Sequence, residues 1–123
     1  MRIARDAGVA GPIVKGFAAG GFRLDEGIFR ALLLTPARGE GWTPPPIGEL
    51  GPEALAFLLD PLPEFVLIGT GAALLRPPLA LTRSLEARGV GVEPMDSRAA
   101  ARAWGILRAE GRTITAALYP LDA

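Results

Sequence analysis

The spacing of apolar and polar residues changes near the middle of the chain. In the first part the apolar residues come in short runs broken by glycine and charge. Ile13 to Phe17 reads as a first strand, Gly20-Gly21 and Asp25-Glu26-Gly27 are turn signals, and Ile28 to Leu34 is the longest run. Phe22 and Leu24 alternate with Arg23 and Asp25, as they would in a strand with one wet face. This half is expected to be antiparallel. Residues 35–51, "TPARGEGWTPPPIGELG", read as a loop, because Pro44 to Pro46 forbid regular helix and discourage strand. The triple proline serves either as a stiff connector or as a polyproline II ligand for a partner. "PEALAFLLD", residues 52–60, reads as a short helix with Pro52 in its first turn.

The second half has strand and helix periods in alternation. Phe65 to Ile68 is a continuous apolar run, suited to a parallel strand buried on both faces. "PPLALTRSLEARG" is a helix with Pro78 near its start, Leu81 and Leu85 one turn apart, and Gly89 as its stop. "VGVEPM" is a strand, "MDSRAAARAWGILRAEGR" a second helix, and "RTITAALYP" a last strand. Strand, helix, strand, helix, strand implies a parallel core sheet. The expectation is an α/β domain: a mixed sheet with a parallel C-terminal half and antiparallel N-terminal strands. Residues 1–12 form a loose Gly/Ala-rich arm and residues 13–123 one compact domain.

The second helix carries the most detail. Asp96 or Ser97 is its N-cap and Gly111 its stop. At about 100° per residue, Ala99, Ala100, Ala103, Trp104 and Leu107 share the apolar face. Arg98 and Arg102 lie opposite, either as a solvated face or as a patch for an anion or a partner. Gly105 sits mid-helix, where glycine costs about 1 kcal/mol relative to alanine. Glu110 falls beside the apolar face in the last turn, where a carboxylate opposes the helix dipole, and Arg112 is its expected partner.

Composition narrows the chemistry. The 123 residues carry 13 basic and 13 acidic side chains, a balance that argues against a dedicated nucleic-acid binder. Lys15 is the only lysine, and Cys, His, Asn and Gln are all absent. The absence of Cys and His removes disulfides, thiolate nucleophiles, Ser-His pairs and Cys/His zinc sites. No acidic cluster suggests a metal, and no motif calls for a cofactor. No stretch approaches the roughly 18 apolar residues of a membrane helix, and the N-terminus lacks a signal-type apolar run. The location expected is cytoplasmic.

"LIGTGAALLRPP" follows the buried strand and resembles a dinucleotide fingerprint, with Gly69 and Gly71 in the first two glycine positions. Leu74 occupies the third position, however, and the next helix starts too late to meet a pyrophosphate at Gly71. The loop still sits where open α/β sheets place their crevices, with Gly69, Thr70, Gly71 and Asp96 as bordering residues.

The order "GFAAGGFRL", "FVLIGTG", "GVGVEPMDSRAAARAWGILRAEGR" and "ITAALYP" resembles a small α/β family of poorly defined biochemical function. Its members include the mitochondrial NADH:ubiquinone oxidoreductase (complex I) assembly factor three, an adipogenesis-associated animal protein, and single-domain bacterial and archaeal relatives. The resemblance covers residues 13–120. It implies a compact α/β fold and carries the family pattern onto Gly69, Thr70, Gly71, Asp96, Glu110 and Arg112. The chain departs from the family where Trp104-Gly105 replaces an aromatic-Asn pair and Ala101 replaces an occasional Cys. By resemblance the expected role is a non-enzymatic protein-binding or assembly-factor domain. Its partner would be respiratory or membrane-protein assembly machinery, bound through Arg98 and Arg102, and it would reach the inner membrane only through that partner. The alternative is a small-molecule or anion-binding protein, or a weak enzyme. Its pocket would lie at Gly69–Gly71, with Asp96, Glu110 and Arg112 nearby.

Overall fold

A computed structural model describes residues 11–123. Residues 1–10 of the expected N-terminal arm lie outside the described residues. Two sheets are present. The smaller is an antiparallel meander of β1 (Gly16–Ala18), β2 (Gly21–Leu24) and β3 (Gly27–Phe29). The larger has five strands in the order β5 (Gly39–Gly41), β4 (Leu32–Leu34), β8 (Thr115–Leu118), β6 (Phe65–Gly69) and β7 (Gly91–Met95). β6 runs parallel to both β7 and β8, while β4 runs antiparallel to β8 and β5. The mixed α/β architecture read from the sequence is present, with the parallel strands in the C-terminal half.

Helix α1 (Leu79–Ala87) connects β6 to β7, and helix α2 (Ser97–Ala109) connects β7 to β8. β8 therefore lies on the opposite side of β6 from β7. The two helices cover opposite faces of the sheet, and each face has its own core. On one face Leu81 and Leu85 of α1 pack with Leu33, Val66, Ile68 and Ala117, joined by Leu55 and Leu58. On the other, Ala100, Ala101 and Trp104 of α2 pack with Leu32, Leu34, Leu67, Ala116 and Leu118. Phe22 and Leu24 of the small sheet complete that second core. The N-terminal half thus does two things: β4 and β5 extend the main sheet, and β1–β3 cover it.

Five local expectations are corrected. The run Ile28 to Leu34 is not one strand but two, β3 and β4, in different sheets. The chain turns at Arg30-Ala31 so that Phe29 and Leu32 can reach the same core from two directions. The loop 35–51 contains β5 and a 3-10 turn, Ile47–Glu49. Among the described residues β5 pairs only with β4, so backbone bonding rather than apolar content makes it a strand. Residues Pro52–Leu58 form a 3-10 helix rather than an α-helix, and the first strand begins at Gly16. Finally, the buried face of α2 is centred on Ser97, Ala100, Ala101 and Trp104, with Ala99, Ala103 and Leu107 flanking it. Ala101 is drawn inward because small side chains let the helix lie close to β6 and β8.

Trp104 is fully buried, and its indole N–H donates to the Pro12 carbonyl at 2.9 Å. The ring is core, with its one polar group satisfied. Gly105 has no such reason to be glycine, since a Cβ placed there meets nothing within 4 Å. Gly105→Ala is expected to stabilise the protein by about 1 kcal/mol. Urea denaturation checks this, and a lowered midpoint would mean that the surface at 105 is not open.

Candidate functional site

The carboxyl ends of β6 and β7 meet the start of α2 at the Gly-Thr-Gly step. This is the switch point of the sheet, where α/β folds open a crevice. Here the crevice is closed by the chain itself. The Ser97 hydroxyl is fully buried; it accepts from the Gly71 N–H at 2.8 Å and donates to the Tyr119 carbonyl at 2.8 Å. The Ser97 N–H returns a bond to the Gly71 carbonyl at 2.8 Å, and the Tyr119 N–H donates to the Gly69 carbonyl at 2.9 Å. A Cβ on Gly69 would lie 2.9 Å from both Cα and Oγ of Ser97, so only glycine admits the helix this close.

Thr70 is equally committed. Its hydroxyl donates to the Ala73 carbonyl at 2.7 Å and accepts from the Leu75 N–H at 2.9 Å. The Thr70 N–H donates to Met95, and the Ala72 N–H to Ala123. The amides of residues 70, 71 and 72 are thus all spent within the fold. A phosphate cradle needs such amides turned outward, so the loop does not form one. Asp96 is the N-cap of α2, its carboxylate accepting from the Ala99 N–H at 3.0 Å.

Glu110 and Arg112 lie elsewhere. They follow the last turn of α2, and a helix of 13 residues spans about 20 Å. The six residues therefore do not share one pocket: Gly69, Thr70, Gly71 and Asp96 lie at one end of α2, Glu110 and Arg112 at the other. Arg112 also has a different partner from the one expected. Its guanidinium grips Glu64 through Nε at 3.0 Å and Nη2 at 2.8 Å, and Glu64 also accepts from the Thr113 N–H at 3.1 Å. The Arg112 contact, then the Thr113 amide, hold the Glu64 carboxyl below the usual glutamate range. Glu110 is exposed and pairs through its backbone, as the α2 terminus closes with Gly111 N–H on Arg108 and Arg112 N–H on Leu107. Sequence spacing put Arg112 beside Glu110, but the parallel sheet brings the start of β6 to the same edge, and Glu64 offers the better two-pronged geometry.

Arg98 and Arg102 are both exposed and stand over one aromatic ring. Their guanidinium carbons lie 4.7 Å and 5.9 Å from the centroid of Phe17, on β1. Ile106, one turn further along the same side, is 62% exposed. Phe17 is the residue that sequence reasoning missed, because only the docking of the small sheet brings it under α2.

Two hollows open on the surface beside these features. One, of about 410 Å³, is lined by Pro44 to Pro46, Ile47, Thr70, Leu75 and Tyr119. Thr70 alone of the expected pocket residues borders it. The triple proline forms its wall, with the Pro45 carbonyl accepting from the Tyr119 hydroxyl at 2.7 Å. The larger, about 820 Å³, lies at the opposite edge of the sheet, among the β4–β5 hairpin, the segment 56–63 and the end of α2. Among the described residues no three acidic side chains converge on a metal-sized point, and no helix is long and apolar enough to cross a membrane.

The fold is shared with known structures. A Bordetella pertussis protein whose solution structure is described as a Mth938-like domain superposes with a TM-score of 0.76. It is 27% identical, over 90% of this chain and 87% of that one. The molecule is thus an α/β domain similar in fold to that Mth938-like domain. Residues 14–119 match the model of a protein family of unknown function, DUF498/DUF598, and the chain belongs to that family. An uncharacterized protein of Rhodobacter capsulatus is 36% identical over 121 residues, covering 95% of this chain and 92% of the relative. The zebrafish (Danio rerio) NADH dehydrogenase [ubiquinone] 1 alpha subcomplex assembly factor 3 is 28% identical over 114 residues, covering 90% of this chain and 66% of that protein.

Ser97→Ala strips two buried backbone groups of their partner and is expected to cost about 1–3 kcal/mol in chemical denaturation. A change near zero would show that the hydroxyl does not hold the three segments together. Tyr119, the only tyrosine, has its phenol pushed by burial from 10.0 up to about 12. Its contribution is therefore whole below pH 10 and lost as pH climbs toward 12. Phenolate absorbance in an alkaline titration is expected to rise late, with unfolding. A midpoint at the ordinary tyrosine value in still-folded protein would contradict this.

Proposed function

We propose that this protein is a non-enzymatic, assembly-factor-like binding domain that engages a protein partner through the outer face of α2. The observation that carries the reading is the pair Arg98 and Arg102, both stacked over Phe17. Two like charges one helical turn apart repel in isolation. Here a shared aromatic face offsets that repulsion and holds both guanidinium groups in place. A pre-positioned arginine pair loses less side-chain entropy on binding than two free side chains would. The exposed Ile106 beside them adds an apolar contact. Arginine and aromatic residues are the types that dominate binding energy at protein interfaces.

The similarity to a zebrafish protein named as an assembly factor supports a partner among respiratory or membrane-protein assembly machinery. The charge of the α2 face calls for an acidic surface on that partner. The composition supports the same reading from another side, since a chain without His, Cys, Asn or Gln offers few groups for proton transfer or nucleophilic attack. Within this reading the protein works in the cytoplasm and meets the membrane through what it binds.

The test is an affinity pull-down from gently solubilised cells, read by mass spectrometry, with wild type and the double variant Arg98→Glu/Arg102→Glu. The expected outcome is recovery of membrane-complex subunits by wild type and loss of them by the variant. The variant should remain folded, because exposed cation–π contacts are worth about 0.5–1 kcal/mol each. Equal capture by both proteins would remove the α2 face from the interface.

A further inference from the structure

The outer face of α2 carries a ridge of exposed side chains. Arg98, Arg102, Ile106 and Glu110 follow one another at intervals of one helical turn, and all four are exposed. The helical geometry reaches the last of them, since the Glu110 N–H donates to the Ile106 carbonyl at 3.2 Å. Successive members therefore stand about 6 Å apart along the axis. The rows beside the ridge are low. Ala99 and Ala103 lie on one side, Gly105 and Ala109 on the other. A ridge flanked by shallow grooves is the shape that packs against a second helix.

The order of charges says which helix. Taken about Ile106, the ridge has a cation one turn before and an anion one turn after. A two-fold axis through Ile106 reverses the direction of the second helix. It sets Ile106 against its own copy and lays each Arg102 against the Glu110 of the other chain. Arg98, one turn further on, brings a second cation toward the same carboxylate. A parallel pair would oppose like charges and is disfavoured.

Three features of the single chain agree with this pairing. Ile106, at 62%, is the most exposed large apolar side chain among the described residues. Glu110 stands at the C-terminal end of the helix, where a carboxylate opposes the dipole. Its neighbour Arg112 is committed to Glu64, and Arg108 donates to the Arg112 carbonyl. Arg102 stands over Phe17 at 5.9 Å, so it loses less freedom on pairing than an unheld arginine would.

We propose that two copies of this chain pair antiparallel along α2, about a two-fold axis at Ile106, with Arg102 of each copy on Glu110 of the other. A face one helix wide and about 20 Å long lies at the small end of specific interfaces, so the dimer is reversible. The pairing does not rest on the assembly-factor reading. The two share Arg102, so a partner seated on α2 would displace the second copy.

Sedimentation equilibrium up to about 1 mM protein tests it with wild type, Arg102→Glu, Glu110→Arg and the double variant Arg102→Glu/Glu110→Arg. Wild type is expected to dimerise reversibly. Each single variant opposes like charges and should self-associate at least about tenfold more weakly. An equimolar mixture of the two single variants should regain pairing close to that of wild type, and so should the double variant, in which the charges are exchanged. All the substituted side chains are exposed, and unchanged circular dichroism checks that the variants stay folded. The chain has no cysteine, so Ile106→Cys places a single thiol at the axis. On mild oxidation it should form a disulfide-linked dimer faster than Leu79→Cys, an equally exposed position on α1. A monomeric wild type, single variants that associate as wild type does, a mixture no stronger than its components, or equal cross-linking at 106 and 79 would each overturn the proposal. None of these outcomes depends on capture of another protein.

Discussion

The buried hydroxyl of Ser97 holds together the ends of three elements. It joins the first turn of α2 to the end of β6 through Gly71 and to the end of β8 through Tyr119. Both of its bonds are made away from water, where an unpaired partner is costly. The junction requires the helix to approach β6 almost to contact, which the missing side chain of Gly69 permits. Once α2 is seated there, Ala100, Ala101 and Trp104 fall onto the sheet, and the opposite face with Arg98 and Arg102 is turned outward. The position of the Arg98 and Arg102 face is thus a consequence of a junction that does not belong to it.

The same junction explains why a loop at the switch point of an α/β sheet holds no phosphate cradle. The groups that bind phosphate elsewhere are present as residue types, yet each amide from Thr70 to Ala72 already donates to Met95, Ser97 or Ala123. Polar groups not spent on the junction lie elsewhere: Arg98 and Arg102 stand over Phe17, and at the opposite end of β8 the buried Thr115 hydroxyl has no hydrogen-bond partner among the described residues. β8 connects the junction to the opposite end of the sheet. It is buried along its whole length, ends at the Ser97 junction and begins at the large cleft.

Much of the fold was legible because its second half obeys simple periods. The apolar run at β6, the turn-spaced leucines of α1 and the capped, glycine-stopped α2 each appear within two residues of where their spacing puts them. The first half was less legible. The run from Ile28 to Leu34 gives no local sign that it turns between two sheets, and Gly39–Gly41 has no apolar pattern to mark a strand. Both depend on partners distant in sequence.

By itself the sequence determined the class of fold, the order of strands and helices in the parallel half, the caps of α2 and the chemistry that is missing. These follow from local spacing and from composition, and neither needs a neighbour in space. Only the tertiary structure decided which charges pair and which residues meet. Glu64 reaches Arg112, and Phe17 lies under Arg98 and Arg102, because sheet register and sheet-on-helix packing bring distant residues together. Thr115 looks like any polar residue in an alternating strand. The burial of its hydroxyl, with no hydrogen-bond partner among the described residues, follows from having buried layers on both faces of β8, a property of the assembled sheet and not of the strand.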